Sequence, residues 1–349
     1  MKPFISMVFS FRNEEENLGE LIRRVRLALD AGEVEYELIF VNDASDDRSL
    51  EILKAFSKDP RIKILTMSNR FGPSACVLAG MKIAQGDAVI YMDSDLQDPP
   101  ELIPQMIDEF RREADVVNMT RTERLGESRF KMWMTKAAYS LINVVSDVQI
   151  PMNTGDFKLL SRRVVNQLVQ LREHDPFLRG LVRWVGFRQV QIFYRREARI
   201  AGKTHFPLLG SGPSRAFLAG VTSFSEFPLY LALFFGIAVS IGSFMYLTAI
   251  ILTRVFLHMH LPGWPAIMVT QLFLGGVILM TVGILGVYVG RIHREVKMRP
   301  NFIVESAVNC ASRKAGKIEI RCPRSGDYIM PRRNDVCPYP GSQSAASSE

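Results

Sequence analysis

The run Asp93-Ser94-Asp95-Leu96-Gln97-Asp98-Pro99-Pro100 directly follows the apolar stretch Ala88-Val89-Ile90-Tyr91-Met92. Two carboxylates one residue apart therefore hang off the end of a buried strand. Oxygen ligands gathered in such a place suit a hard divalent cation, which keeps part of its water shell and completes its coordination with substrate phosphates. Asp, Ser and Pro are also ordinary turn residues, so the run by itself reads as a surface turn too. The company it keeps separates the two readings.

The elements before it alternate. Ile5 to Phe11 reads as a strand, Glu15 to Leu29 places Leu18, Leu21, Ile22, Val25 and Leu29 on one helical face, and Tyr36 to Val41 reads as a second strand. Ser49 to Phe56 is an expected helix, Ile62 to Thr66 a strand, Pro73 to Ala84 a helix, and Asp87 to Met92 the strand that delivers the acids. This order predicts an α/β domain with a mostly parallel sheet covered by helices and ligands bound beyond the carboxyl ends of the strands. Polar clusters stand at three such ends: Arg12-Asn13-Glu14-Glu15, Asn42-Asp43-Ala44-Ser45-Asp46-Asp47, and Asp93 to Pro100. Three converging ends make a site.

The 349 residues, 48% of them hydrophobic, could form one large domain or two modest ones. Segments 227–253 and 265–289 contain no charged residue, and each exceeds the roughly 20 residues needed to cross a bilayer core. No polar face interrupts either, so two membrane-spanning helices are expected in place of two buried ones. The start, Met1-Lys2-Pro3-Phe4-Ile5, begins a strand rather than a signal peptide, because Asn13-Glu14-Glu15-Glu16 cuts off any apolar core. Arg195, Arg196, Arg199, Lys203 and Arg215 precede the first span and Arg291, Arg294, Lys297 and Arg299 follow the second, whereas the loop between offers only Arg254 and two His. That asymmetry predicts a multi-pass inner (plasma) membrane protein with its main domain and both termini cytoplasmic. The expected layout is a cytosolic domain over 1–210, an interfacial helix over 211–226, the two spans, and a cytosolic tail over 290–349, disordered from about 309 where Pro, Gly, Ser and Arg dominate.

A net charge of +7 and a pI near 9.3 would suit nucleic acid, but the basic residues crowd beside the apolar segments. Anionic lipid head groups and a phosphorylated substrate explain that placement, and no nucleic-acid partner is expected. Cys76, Cys310, Cys322 and Cys337 form no C-x-x-C pair and no ligand spacing with His. Free thiols and no structural zinc follow.

Phe11-Arg12-Asn13-Glu14-Glu15-Glu16-Asn17-Leu18, Val41 to Asp47, and Met92-Asp93-Ser94-Asp95-Leu96-Gln97-Asp98-Pro99-Pro100-Glu101 together resemble the successive signatures of inverting family-2 glycosyltransferases. These carry an A-type nucleotide-sugar-binding α/β domain. The chain is most similar to the polyprenyl-phosphate branch, which includes dolichyl-phosphate mannose synthases and bactoprenol glucosyltransferases. Asn153-Thr154-Gly155-Asp156-Phe157, Arg179-Gly180-Leu181, and Gly286 to Arg291 followed by Lys297-x-Arg299-Pro300 carry that likeness, which covers about residues 4–305.

The resemblance implies inverting transfer of a hexose, foremost glucose from UDP-glucose, to undecaprenyl phosphate, giving a lipid-linked donor for envelope glycans such as lipopolysaccharide. Mannose or an aminosugar from UDP or GDP, passed to polyprenyl or dolichyl phosphate, is the alternative. It implies Mg²⁺ or Mn²⁺ as cofactor, with Asp95 and Gln97 holding the ion against the diphosphate and Asp93 nearer the ribose or the metal. Asn13, Glu14, Asn42 and Asp43 would meet the nucleotide sugar, Asp43 at the base or ribose unless it serves only an Asx turn. Asn42 stands where the family commonly has an acid, and Ser10 where it usually has Pro. Arg121, Arg124 and Arg129 fall where the branch carries acceptor-binding basic residues, and Arg199 and Lys203 lie in a looser match to a further basic pattern. Arginine forks fit phosphate geometry. Asp156 is the candidate catalytic carboxylate that orients the acceptor or organises the cationic pocket; otherwise it caps a helix over Leu159 to Leu171. An ionised lipid phosphate needs little help from a general base, so positioning should dominate.

A processive polysaccharide synthase is the rival enzyme, but Arg183-Trp184 follows Gly180 where that motif needs Gln, and two spans are few for an export channel. A silent membrane adaptor is the rival from another class. Intact Asp93, Asp95, Gln97 and Asp156 speak against it. The expected partners are a nucleotide sugar, a polyprenyl phosphate and membrane lipids, with homo-oligomerisation left open.

Overall fold

The computed structural model describes residues 2–122, 154–171, 173–174, 176–195, 227–257 and 263–310. β1 (Phe4–Phe11), α1 (Leu18–Ala31), β2 (Glu35–Asn42), α2 (Ser49–Ala55), β3 (Ile62–Met67), α3 (Pro73–Ile83) and β4 (Ala88–Asp93) alternate as the sequence predicts. There follow α4 (Ile103–Arg111), β5 (Val116–Arg121), β6 (Thr154–Ser161), α5 (Arg162–Leu168), α6 (Leu178–Trp184), β7 (Gln189–Tyr194), two long helices α7 (Phe227–Leu257) and α8 (Trp264–Val296), and β8 (Val304–Val308).

The eight strands form one sheet in the order β7-β5-β6-β4-β1-β2-β3-β8. β1 runs parallel to β2 and β4, β2 to β3, and β5 to β7, whereas β6 is antiparallel to both β4 and β5 and β8 is antiparallel to β3. The parallel strands are near-continuous apolar runs because helices cover both faces. On one face α1, α2 and α4 press Leu21, Ile22, Val25, Leu53, Met106 and Ile107 onto Ile5, Met7, Phe9 and Phe40; on the other, α3, α5 and α6 press Val77, Val165, Leu181 and Val182 onto Val8, Val41, Val89 and Leu160. Each fully buried aliphatic side chain contributes roughly 1.5–3 kcal/mol. α3 lies so close to the sheet that a Cβ on Gly80 would run into the Val8 side chain.

One expectation needs correction. The stretch after Asp156 is a strand to Ser161 and a helix only over Arg162–Leu168, so Asp156 sits near the start of β6 and caps nothing. Leu159, Leu160 and Phe157 are wholly buried between neighbouring strands, and that packing overrides the helical reading of Leu159 to Leu171. The chain beyond the second long helix returns to the sheet as β8, a strand the sequence reading does not name, and Asn309 just past it donates its amide to the carbonyls of Ser57 (2.7 Å) and Ile62 (3.0 Å). The expected interfacial helix over 211–226 and the tail beyond 310 lie outside the described residues.

α7 and α8 are 31 and 33 residues long and pack on each other. Phe227–Tyr246 and Ile267–Val296 each contain an 18-residue apolar stretch, of mean hydropathy 1.9 and 2.3, that is not buried inside the protein. By length and composition they can cross a membrane.

The edge of the sheet opposite the polar clusters is tied by a buried ion pair. Lys63 Nζ lies 2.5 Å from Glu37 Oε2, both side chains under 10% exposed, and Glu37 Oε1 also accepts from Ser6 Oγ (2.6 Å) and Gln85 N (2.7 Å). Removing only the cation leaves a buried carboxylate uncompensated. Lys63→Met is expected to lower stability by about 3–5 kcal/mol, and Lys63→Met with Glu37→Leu to recover much of that loss in denaturant titrations. A single variant as stable as the parent would contradict the assignment.

Candidate active site

Parallel strands end where the polar clusters begin, and the antiparallel β6 begins there, so the last residues of β1, β2, β4, β5 and β7 meet the first residues of β6 along one edge. Tyr91 pairs with Lys158 across β4 and β6. Continuing that register by two residues puts Asp93 across from Asp156. Both then project from the face that carries Tyr91 and Lys158, because side chains alternate along a strand.

The nucleotide-side residues read from the sequence serve first as staples between loops. Asn13 N donates to Ser45 Oγ (3.1 Å) while its Oδ1 accepts from Asp46 N (3.0 Å). Asn42 Oδ1 accepts from Ser45 N (2.9 Å), and buried Glu14 accepts from Asn17 Nδ2 (2.6 Å). Asp43 reaches the next loop and accepts from Phe71 N (2.7 Å) and Gly72 N (3.1 Å), so it is more than an Asx turn of its own loop. Gly72, at φ +91°, takes a backbone conformation few L residues tolerate. Asn13, Ala44 and Leu96, one in each of the three clusters, also have positive φ, 54°, 52° and 56°. Non-glycine residues held in this region mark strain that surrounding structure must impose.

At the acidic cluster Ser94 Oγ donates to Ser10 O (3.0 Å), which pins the turn to β1, and Gln97 N donates to Asp95 Oδ1 (3.2 Å). Asp93 keeps one edge in solvent, yet its pKa is pushed up to about 8 by burial and then by the fields of Asp156, Asp95 and Asp98, with Arg179 opposing. Asp98 is fully buried and belongs to a different unit: it accepts from Arg121 Nη2 (3.1 Å) and from the Tyr194 hydroxyl. Arg121 Nε in turn donates to Tyr194 Oη (3.1 Å). The guanidinium is thereby fixed in plane against Gly155, where an added Cβ would come within 2.7 Å of Nη2.

Asp156 is gripped by Arg179 from the first turn of α6, with Nε 2.8 Å from Oδ1 and Nη2 on Oδ2. Burial opposes the charge of Asp156, but the field and hydrogen bonds of Arg179, helped by Lys158 and Arg121, hold its carboxyl below the usual range. Lys158 is buried two residues on, with Nζ donating to Asn118 Oδ1 (2.8 Å). Burial pulls its pKa down to about 7 against the attraction of Asp156. The Tyr91 hydroxyl, buried in the fields of Asp156 and Asp93, and the hydroxyls of Thr120 and Thr154 have no hydrogen-bond partner among the described residues.

The site thus gathers the carboxylates of Asp93, Asp95, Asp98 and Asp156 with the cations of Arg121, Lys158 and Arg179. Arg121 and Asp156 from the sequence reading come together here; Arg124, Arg129, Arg199 and Lys203 lie outside the described residues. Arg179, Lys158, Asp98 and Tyr194 were missed as site residues. Arg179 stood in a quoted motif without a role, and Lys158 announced itself as a charge inside the apolar run Phe157-Lys158-Leu159-Leu160. Among the described residues no three His, Cys, Asp or Glu side chains already form a cage for a metal. The fit to a divalent ion is of another kind: Asp93 and Asp95 offer hard oxygens, and a cation bound there would relieve the crowding that raises the Asp93 pKa.

The family model described as glycosyl transferase family 2 matches residues 6–169. An uncharacterised glycosyltransferase of Bacillus subtilis is 40% identical over 310 residues, covering 88% of this chain and 95% of that one. A second uncharacterised glycosyltransferase, from Synechocystis, is 40% identical, covering 86% and 94%. A prophage-derived bactoprenol glucosyl transferase of Shigella flexneri is 38% identical over 304 residues, covering 87% of this chain and 98% of that protein.

Because the folded-state pKa of Asp93 lies above its ordinary 3.8, the folded protein binds this proton more tightly than the unfolded chain, and stability declines as pH rises from about 4 toward about 8. Asp93→Asn is therefore expected to melt higher than the parent near pH 8 in chelator, and to lose part of the parent's gain in melting temperature on acidification. A variant that melts lower than the parent near pH 8 would dismiss the charge-crowding account.

Proposed function

The chain belongs to glycosyl transferase family 2, and from that premise we propose that it transfers glucose from UDP-glucose to undecaprenyl phosphate with inversion at the anomeric carbon. The observation that carries the reading is the β4–β6 register, which, extended past Tyr91 and Lys158, sets the acids Asp93 and Asp95 beside a fixed acid–guanidinium unit, Asp156 and Arg179. The near full-length match to a bactoprenol glucosyl transferase supports the choice of sugar and acceptor.

Asp95 and Gln97, with Asp93 beside them, would hold Mg²⁺ or Mn²⁺. When bound, the ion neutralises the diphosphate so that the nucleotide can leave. Asp43 and the stapled loops around Asn13, Glu14 and Asn42 shape the nucleotide end. The acceptor phosphate is itself the nucleophile and arrives ionised, so the protein's task is alignment. Asp156 stays ionised under the Arg179 clamp and sets the orientation of the acceptor pocket, while Arg121, locked by Asp98 and Tyr194, presents a fixed cationic plane beside it. Direct attack opposite the departing nucleotide turns an α-linked donor into a β-linked lipid phosphoglucose. α7 and α8 keep the protein at the bilayer that contains the acceptor, with the sheet domain in the cytosol.

Membranes containing the protein, given radiolabelled UDP-glucose and undecaprenyl phosphate and then extracted for lipid, are expected to yield lipid-linked glucose whose anomeric proton reports a β linkage. Asp95→Ala should cut this transfer by on the order of a thousandfold, as should excess chelator. An α-linked product, or full turnover without Asp95, would overturn the mechanism. The orientation has its own test. Gly263→Cys should react with a membrane-impermeant thiol reagent on intact cells while the parent does not; protection of that position would reverse the topology.

A further inference from the structure

The end of α8 does not simply lead away from the membrane segment; it is fastened to the loop that precedes α6. Glu295 Oε1 accepts from the backbone N–H of His174 (2.9 Å), and Asn301 Nδ2 donates to the carbonyl of Glu173 (2.6 Å). These bonds join residues more than 120 positions apart in sequence. Arg291 lies four residues before Glu295 and so on the same helical face. Its charge opposes the effect of burial on the Glu173 carboxyl, whose pKa is raised by that burial and by Glu295. Beyond the helix, Ile303 O accepts from Ser68 N (3.0 Å), and Phe302 packs its ring under Lys82 of α3, 4.8 Å from Nζ to centroid.

Arg179, whose guanidinium grips Asp156, lies five positions after His174. The same return segment also touches Ser68, at the start of the loop whose far end, Phe71 and Gly72, is gathered by the Asp43 carboxylate. The α8 exit therefore bears on both flanks of the site.

On the basis of the proposed function, we propose that Glu295 and Asn301 are positioning residues for the transfer reaction: their clasp on Glu173 and His174 transmits the position of the membrane helices to α6, so that Arg179 and Asp156 meet the phosphate of an acceptor whose chain is held in the bilayer. Neither residue touches a reacting atom. Their effect is on where the acid–guanidinium unit stands relative to a membrane-bound substrate, and a substrate free in water does not need that alignment.

The full-length protein, reconstituted in phospholipid bilayers, is compared with Glu295→Ala, Asn301→Ala and the acceptor-preserving Glu295→Gln. With undecaprenyl phosphate in the bilayer, both alanine variants are expected to raise the apparent KM for the lipid about tenfold with the KM for UDP-glucose unchanged, and Glu295→Gln to stay near the parent. With a short, water-soluble isoprenyl phosphate all four proteins should transfer at similar rates. Hydrogen exchange should accelerate over residues 174–184 in the alanine variants alone. Alanine variants that match the parent on the bilayer lipid, or that lose equally on both acceptors, overturn the proposal. If the parent transfers glucose to neither acceptor the proposed function fails, and the exchange measurement alone then decides the clasp: unchanged protection over 174–184 refutes it.

Discussion

A parallel sheet can present only the ends of its strands at its binding edge, and the reversed strand β6 is what brings the beginning of a strand to the same place. Asp156 is the third residue of β6, yet the β4–β6 register, carried on from Tyr91 and Lys158, sets it beside Asp93, the last residue of β4. The register that achieves this leaves little freedom. A slip of one residue would turn Asp156 and Lys158 to the opposite face and bring Phe157 and Leu159 out of the core they fill. On the β5 side the ladder shifts between Asn118 and Thr120, the kind of irregularity that re-aims side chains next to a site. α5 follows directly from β6 and leads on to α6, which carries the Arg179 that grips Asp156.

Around that strand several acidic side chains act on one another. Asp93 carries a raised pKa because burial and three acids crowd it, while Asp156, a strand away, stays ionised because one arginine is committed to it. Two carboxylates in one site are thus driven in opposite directions, a separation characteristic of sites where the environment assigns roles. The loops add backbone strain. An L residue in the left-handed region costs roughly 1–2 kcal/mol, and the loops after β1, β2 and β4 each contain one; bonds among Asn13, Asn42, Ser45 and Asp46 hold the first two loops, and the Ser94 bond to Ser10 holds the third. The residues proposed to meet the nucleotide are also the residues that hold these loops to one another.

The first four strands and three helices were legible because their signals are local: apolar runs bounded by turns, and one clean helical stripe in α1. β6 was not. Thr154-Gly155-Asp156 reads as a loop or a cap, and only pairing with both β4 and β5 makes a strand of it. β8 is short and carries Glu305 and Ser306, so nothing in its own five residues demands a sheet. At the site, Asp93, Asp95 and Asp156 could be found from residue type and family likeness, whereas the partners that fix them could not. Arg179 is 23 residues from Asp156 and Tyr194 is 96 from Asp98, distances over which sequence carries no pairing signal. Asn13 and Asn42 were read as nucleotide contacts, and their staple roles became visible only once the loops were seen side by side.

The final strand has a consequence for how the molecule is made. β3 and β8 pair through Ile64 and Val308, and everything between them, including both long apolar helices, leaves the ribosome before that pair can close. Synthesis proceeds at about 5–20 residues per second, so β3 waits on the order of ten seconds or more with an unpaired edge, the feature through which strands recruit wrong partners. Completion of the sheet is thus tied to the emergence of α7 and α8, and a nascent chain that stalls before Val304 is left with its sheet open at one side.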